Sequence, residues 1–194
     1  MTKQVTLTIN GKQVTVPDGL TVADAAKKAG IDIPVFCHHP KLEPVGMCRM
    51  CLVEIGRPML DRATGQPVME NGQPKIQFMP KLETACTNRV LEGMVVMTQS
   101  EKAVDGQRGT VEFLLTSHPL DCPVCDKGGE CPLQNLTMAH GPGKSRFDYD
   151  EKQHLAKMVP LGELIWLDRE RCIQCARCIR FQGDIAGEAV LGFD

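Results

Sequence analysis

At 194 residues with 42% hydrophobic content, the chain can build one or two domains with real cores. A net charge of −2 and only 4% aromatics leave no basic, aromatic-laced surface of the kind that grips nucleic acid. The opening Met1-Thr-Lys-Gln-Val-Thr-Leu-Thr-Ile-Asn10 lacks the apolar stretch of a signal peptide, and no run approaches the roughly 18 apolar residues of a membrane span. These features point to a soluble cytoplasmic protein, where thiols stay reduced, so ten cysteines call for metal rather than disulfides. With aromatics scarce and ten methionines present, the cores are expected to be aliphatic and filled with Met.

Val5, Leu7 and Ile9 alternate with polar residues, Asn10-Gly11 supplies a turn, and Val14 and Val16 resume the alternation, which predicts a β-hairpin. Thr21 and Asp24 fit a capping box ahead of a short helix whose Val22, Ala25, Ala26 and Ala29 share one face and which stops at Gly30. A loop from Ile33 to Met50 and a strand over Cys51–Ile55 follow. Residues 56–80 read as an irregular insertion with a turn at Asn71-Gly72, and a strand returns at Val95-Val96. A helix is expected over Ser100–Thr116, capped by Ser100 and weakened by Gly106 and Gly109. A cysteine loop covers 118–131, helical turns cover Leu133–Ala139, and Gly141-Pro142-Gly143 breaks them. The charged stretch to about Lys157 reads as a linker. A strand at Leu164–Leu167, a helix near Ala176–Ile185 and a strand at Ala189–Phe193 complete the expectation.

The cysteines fall into three groups. Cys37, Cys48, Cys51 and Cys86 are spaced C-x10-C-x2-C-x34-C on the hairpin–helix unit. A loop that supplies three thiolates, joined by a fourth from a later segment, suits a 2Fe–2S cluster in the manner of plant-type ferredoxins, although the first gap is longer than theirs. Gly46 beside the loop is expected to let backbone amides approach the sulfurs. A zinc site would also take these cysteines. A Rieske centre would need His where Cys51 stands, so His38 and His39 are read as ordinary loop residues.

His118-Pro-Leu-Asp-Cys122-Pro-Val-Cys125-Asp-Lys-Gly-Gly-Glu-Cys131 offers three thiolates and one imidazole, and a cubane lacking a fourth thiolate makes His118 the candidate ligand. Cys172-Ile-Gln-Cys175-Ala-Arg-Cys178 is the C-x2-C-x2-C core of the bacterial ferredoxin run. Its local fourth position is Gln182. Three clusters of four ligands need twelve, and ten cysteines with His118 supply eleven. The expectation is that the fourth ligand of the last 4Fe–4S cluster is absent from this chain, which would then be part of a longer one; an open or 3Fe–4S cluster is the alternative.

Taken in order, these three motifs resemble the large iron–sulfur subunit family of NADH-quinone oxidoreductase, respiratory complex I. The resemblance covers essentially the whole chain. It implies an α+β chain: an N-terminal β-grasp 2Fe–2S ferredoxin-like domain (1–98), a 4Fe–4S domain ligated by one His and three Cys (99–142), and a linker with the start of a bacterial ferredoxin-like 4Fe–4S domain (143–194). It implies no catalytic residues of its own, but an electron relay from an NADH/FMN-binding subunit toward quinone among other peripheral-arm subunits, without nucleic acid or direct membrane insertion, on the cytoplasmic side of the membrane. The alternatives are the diaphorase relay subunit of an NAD-linked hydrogenase or formate dehydrogenase, which looks similar this far, and a zinc-stapled binding module without redox function.

Overall fold

The structure, a computed structural model, describes residues 3–193. In chain order its main elements are β1 (Gln4–Ile9), β2 (Lys12–Pro17), α1 (Val22–Lys28), β3 (Leu52–Pro58), β4 (Met69–Glu70), β5 (Gln73–Pro74), β6 (Ile76–Phe78), β7 (Glu83–Thr84), β8 (Val95–Met97), α2 (Glu101–Leu115), α3 (Pro132–His140), β9 (Val159–Pro160), β10 (Trp166–Leu167) and α4 (Arg177–Arg180). They form two compact units, Met1–Gly106 and Gln107–Asp194, with the boundary inside α2.

The first unit is a mixed sheet in the order β2-β1-β8-β3-β6, with β7 also paired to β3. Asn10 and Gly11 have φ values of 49° and 80°, the left-handed pair that a two-residue hairpin turn requires. The register sets Val5 opposite Val16 and Leu7 opposite Val14, and β8 runs parallel to β1 and antiparallel to β3. Thr21 caps α1 by accepting the Asp24 N–H at 3.1 Å, while its hydroxyl donates to Asp24 Oδ2 at 2.7 Å. The helix presents Val22, Ala25 and Ala26 to Leu7, Ile9, Val53, Ile55 and Val96, and all of these are buried. Alanine on that face lets the helix lie close to the sheet, which gives the expected β-grasp.

The Met-filled core is only partly realised. Met50 and Met94 are buried, but Met47, Met59, Met69, Met138 and Met158 are exposed, and Val and Ile supply most of the interior. Residues 56–80 are also more regular than expected. Asn71 and Gly72 (φ 52° and 80°) close a β4–β5 hairpin, and β6 extends the main sheet. Gly56 is bare where β6 crosses: a Cβ there would stand 2.5 Å from Ile76 Cγ2. Ser100 caps α2 by accepting the Ala103 N–H. Gly106, read from sequence as a weak point, admits Leu82, whose Cδ1 would lie 2.5 Å from an added Cβ.

The second unit has little apolar interior. Among the described residues only Val111, Leu133 and Ala176 are buried apolar side chains there. The strand expected over Leu164–Leu167 is reduced to Trp166–Leu167 against Val159–Pro160, and Leu164 is 91% exposed. The helix near Ala176–Ile185 starts as α4 and widens into π-helical turns over Phe181–Ala186. No strand forms among described residues of 189–193; the Leu191 N–H instead donates to Gln182 Oε1 at 2.9 Å.

The charged stretch read as a linker is instead bonded along its length. Arg146 Nη2 donates to Glu112 Oε2 at 2.8 Å. Lys152 donates to the Leu115 and Thr116 carbonyls, at 2.8 and 3.1 Å, and so satisfies the open end of α2. His154 Nδ1 meets Glu170 Oε1 at 3.0 Å. Arg146 holds the Glu112 carboxyl below its ordinary 4.5. A lowered folded-state value means that the pair contributes fully above that pH and loses its contribution as pH falls through the folded value. Glu112→Gln is therefore expected to speed amide exchange across residues 144–152 at neutral pH and to match the parent only once the pH has fallen below the lowered carboxyl value. Equal exchange at neutral pH would show that the pair does not hold this segment.

Candidate metal centres

Cys37 and Cys48 lie in the loop between α1 and β3, Cys51 directly precedes β3, and Cys86 follows β7. The sheet thus brings a long loop and a distant turn to one place. Cys37, Cys51 and Cys86 are buried. The Cys37 N–H donates to Cys48 Sγ and the Cys48 N–H to Cys37 Sγ, both at 3.4 Å. Thiol hydrogen bonds then link Cys37 to Cys86 and Cys86 to Cys51. All four predicted sulfurs form one connected group.

Its electrostatics follow from this crowding. The bond with Cys37, then burial, pushes the Cys48 thiol far above its ordinary 9.0. At Cys86 a bond from Cys37 pulls the value down, but the bond to Cys51 and burial outweigh it and leave about 11. Cys51 is lowered, mainly by the bond from Cys86 against the cost of burial. Without a cation the group cannot all be thiolate. Iron would supply the missing positive charge, and soft thiolates suit it.

The amides that reach sulfur belong to Cys37 and to Cys48, two residues after Gly46. With φ 62° and a virtual Cβ 3.0 Å from Thr87 Cγ2, Gly46 lets the loop lie against the turn that carries Cys86. Thr84 and Thr87 hydroxyls bond each other in that turn. His38 Nε2 lies 3.4 Å from Asp24 Oδ1, and His39 Nδ1 accepts the Lys41 N–H.

The second group lines one cavity of about 420 Å³, whose wall includes His118, Cys122, Cys125 and Cys131 with Leu115, Leu133 and Met138. Cys122 and Cys125 sit on a single 3₁₀ turn and at its end, and Cys131 caps α3. Gly128 must be glycine, because a Cβ would lie 2.9 Å from Cys122 O and 3.1 Å from Cys125 O. Gly129 takes φ 86°, so the chain folds over the cysteine turn. Burial, assisted by Lys152, pushes the His118 imidazole below its ordinary 6.5, which favours the neutral form that coordinates a metal.

Cys172, Cys175 and Cys178 follow one another through a tight loop into α4, with Gln174 and Ala176 at φ 53° and 58°. Left-handed residues between right-handed or extended ones turn successive N–H groups inward, a concavity that accepts anionic sulfur. Among the described residues, no three His, Cys, Asp or Glu side chains close on a point as they would around a single metal ion.

Sequence reasoning missed the charges that join the second and third groups. Lys157 Nζ lies 3.3 Å from Asp168 Oδ2 and 2.8 Å from Glu170 Oε2, and it also donates to Asp121 at 2.6 Å. Arg171 donates through Nε and Nη2 to Asp121 Oδ2 at 3.1 and 3.0 Å. Asp121 precedes Cys122 and Arg171 precedes Cys172, so the two cysteine loops are tied at their first cysteines. A run of opposite charges, Asp168-Arg-Glu-Arg171 against Lys152 and Lys157, was the available signal.

The pattern that defines the family described as "2Fe-2S iron-sulfur cluster binding domain" matches residues 2–101. The chain belongs to that family. Residues 107–146 match the "NADH-ubiquinone oxidoreductase-G iron-sulfur binding region", and residues 162–194 match the "NADH-quinone oxidoreductase subunit 3, ferredoxin-like domain". The three matches agree with the expected fold class and with one 2Fe–2S and two 4Fe–4S clusters. NADH-quinone oxidoreductase subunit 3 of Thermus thermophilus is 44% identical over 97% of this chain and 26% of its own length. The corresponding NADH-quinone oxidoreductase subunit of Streptomyces coelicolor is 47% identical over 96% of this chain and 20% of its own. The 78 kDa subunit of Neurospora crassa NADH-ubiquinone oxidoreductase is 41% identical over 97% and 23%. The chain thus spans about a fifth to a quarter of these relatives. In a crystal structure of NAD+-reducing [NiFe]-hydrogenase in the H2-reduced state, one chain superposes with TM-score 0.76 and 30% identity, covering 98% of this chain and 71% of that one.

Two outcomes test the sites. Cys48→Ala should abolish a 2Fe–2S electron paramagnetic resonance signal and leave cubane signals in place; survival of every signal would remove Cys48 from the ligand set. Chelating iron under anaerobic conditions should raise amide exchange throughout residues 107–193 while Val5–Ile9 and Val53–Ile55 keep their protection. Retained protection in the second unit would mean that it folds without metal.

Proposed function

We propose that the chain is the iron–sulfur electron-relay part of an NADH:quinone oxidoreductase, passing electrons from an NADH/FMN-binding subunit toward quinone. The domains would be 1–98, 99–142 and 143–194, as the ligand groups suggest. Cys37, Cys48, Cys51 and Cys86 would hold a 2Fe–2S cluster. His118, Cys122, Cys125 and Cys131 would hold one 4Fe–4S cluster, and Cys172, Cys175 and Cys178 would supply three ligands of another. When bound, the clusters supply one-electron carriers.

The chain's own residues do the rest. The sheet buries the first thiols and aims the Cys37 and Cys48 amides at sulfur, which stabilises negative charge there. His118 contributes a neutral ligand where the other three are anionic. The Asp121–Arg171 and Asp121–Lys157 bonds hold the second and third cysteine loops at fixed separation, and electron transfer depends on such spacing. That link is the observation that carries the reading of a relay. No helix among the described residues is long and apolar enough to cross a membrane, which suits a place in a peripheral arm on the cytoplasmic side.

The likeness to the hydrogenase chain favours a second reading, the diaphorase relay of an NAD-linked hydrogenase. Identities of 41–47% with the NADH-quinone oxidoreductase relatives rank it behind the first. Purified anaerobically, the protein should be brown and contain acid-labile sulfide; colourless protein with stoichiometric zinc would overturn both. The native complex that contains the chain should couple NADH oxidation to quinone reduction. Reduction of NAD+ by hydrogen in that complex would select the second reading instead.

A further inference from the structure

The wall of the second cavity carries a polar group that no ligand assignment uses. Thr137 stands on α3 one turn beyond Leu133 and lines the same cavity as His118 and the three cysteines. Its Oγ1 is shut off from solvent and makes no hydrogen bond. A helical threonine ordinarily returns its hydroxyl to the carbonyl one turn earlier. Thr116, directly after α2, makes that bond, donating to Glu112 O at 3.2 Å. Thr137 does not.

The backbone around it is fixed. The Gly141 N–H donates to Thr137 O at 2.8 Å, an approach open only to glycine, since a Cβ at 141 would lie 2.4 Å from that oxygen. Nearby polar groups of the wall are already engaged: Gln134 Oε1 accepts the Gly129 N–H at 3.0 Å, and Asp121 and Arg171 bond each other. A buried hydroxyl left without a partner is destabilising, because it has given up its bonds to water and gained none. The cost is relieved by an acceptor inside the cavity, and the sulfurs of an iron–sulfur cluster are acceptors with no protons of their own.

We propose that the Thr137 hydroxyl donates a hydrogen bond to a sulfur of the cluster held by His118, Cys122, Cys125 and Cys131, and so raises its reduction potential. The inference rests on the cluster assignment proposed above. Reduction adds negative charge to the cluster, and a donor aimed at sulfur stabilises the reduced form more than the oxidised one.

The test uses the full chain reconstituted anaerobically, as parent, Thr137→Val and Thr137→Ser. Nitrogen coupling in pulsed electron paramagnetic resonance marks the His-ligated cluster and separates it from any other cubane. Val, which matches threonine in shape without the hydroxyl, should lose one deuterium-exchangeable proton coupling on that cluster and shift its midpoint potential downward. Ser should keep both near the parent. A Val variant with the parent's proton couplings and potential overturns the proposal. If Val disturbs cluster insertion, Thr137→Ala takes its place in both measurements, with the same results expected and the same results overturning the proposal. A parent protein with no nitrogen-coupled cluster overturns the cluster assignment itself, and this inference with it.

Discussion

Bringing four thiols into one buried place is the constraint on which the first unit depends. Ionised sulfurs repel, and the repulsion grows where water is excluded. Hydrogen bonds among the thiols of Cys37, Cys48, Cys51 and Cys86 answer that repulsion, raising the Cys48 and Cys86 thiols and lowering Cys51. Such a group is poised to exchange protons for cations. The sheet pre-arranges it: Cys51 is held by the first turn into β3, and the Ala85 N–H bonds Cys51 O at 2.9 Å, so Cys86 arrives beside it. Cys51 and Cys86, on either side of the longest gap in the group, are brought together by a backbone hydrogen bond that needs no metal.

The second unit inverts that order of dependence. The first folds on a continuous apolar interior running from Val5 to Val96, and Cys51 and Cys86 are themselves part of that interior. The second has three buried apolar side chains among the described residues, too few to offset the ordering of a unit that size. It also holds six cysteines and His118. Small domains without a core are stapled, and here the staples would be clusters, helped by the Lys157 and Arg171 bonds. Exposed ion pairs are worth little singly. Sharing Asp121 and Asp168 between two cations makes these a network, and Glu170, 7% exposed, supplies its least solvated carboxylate.

The legible parts of the sequence were those with a short-range physical cause. Alternation and Asn-Gly marked the first hairpin, Thr21 and Asp24 marked the helix start, and thiolate spacing marked each cysteine group. The spacing also anticipated which residues meet: the four sulfurs of the first group do, and all four members of the second line one cavity. What failed to show depended on partners far along the chain. Residues 143–157 looked like a linker because nothing local tells that Arg146 will find Glu112 or that Lys157 will find Asp121. Ala189–Phe193 looked like a strand because its apolar content fits one, yet pairing needs a neighbour, and Gln182 took the Leu191 amide instead. Thr137 was invisible for a related reason, since only the folded helix shows that its hydroxyl lacks a partner.

Backbone conformation links the three cysteine groups more closely than sequence spacing does. Each loop contains residues in the left-handed region near its cysteines: Gly46 and Arg49 in the first, Gly129 in the second, Gln174 and Ala176 in the third. Glycine adopts that region without penalty, but Arg49, Gln174 and Ala176 cost roughly 1–2 kcal/mol each. A loop meant only to connect elements would avoid such residues. Reversing the twist at alternate positions turns consecutive N–H groups to the same side, and the Cys48 amide, which bonds Cys37 Sγ, lies between left-handed Gly46 and Arg49. Where glycine is used, a close approach demands it as well, as at Gly128 against the Cys122 carbonyl. Where it is not, a side chain is retained for other work: Ala176 is one of three apolar residues buried in the second unit, so glycine there would relieve backbone strain while giving up scarce core. The strained positions therefore fall in the cysteine loops themselves, and such strain is tolerated most readily in loops that a bound cluster would hold shut.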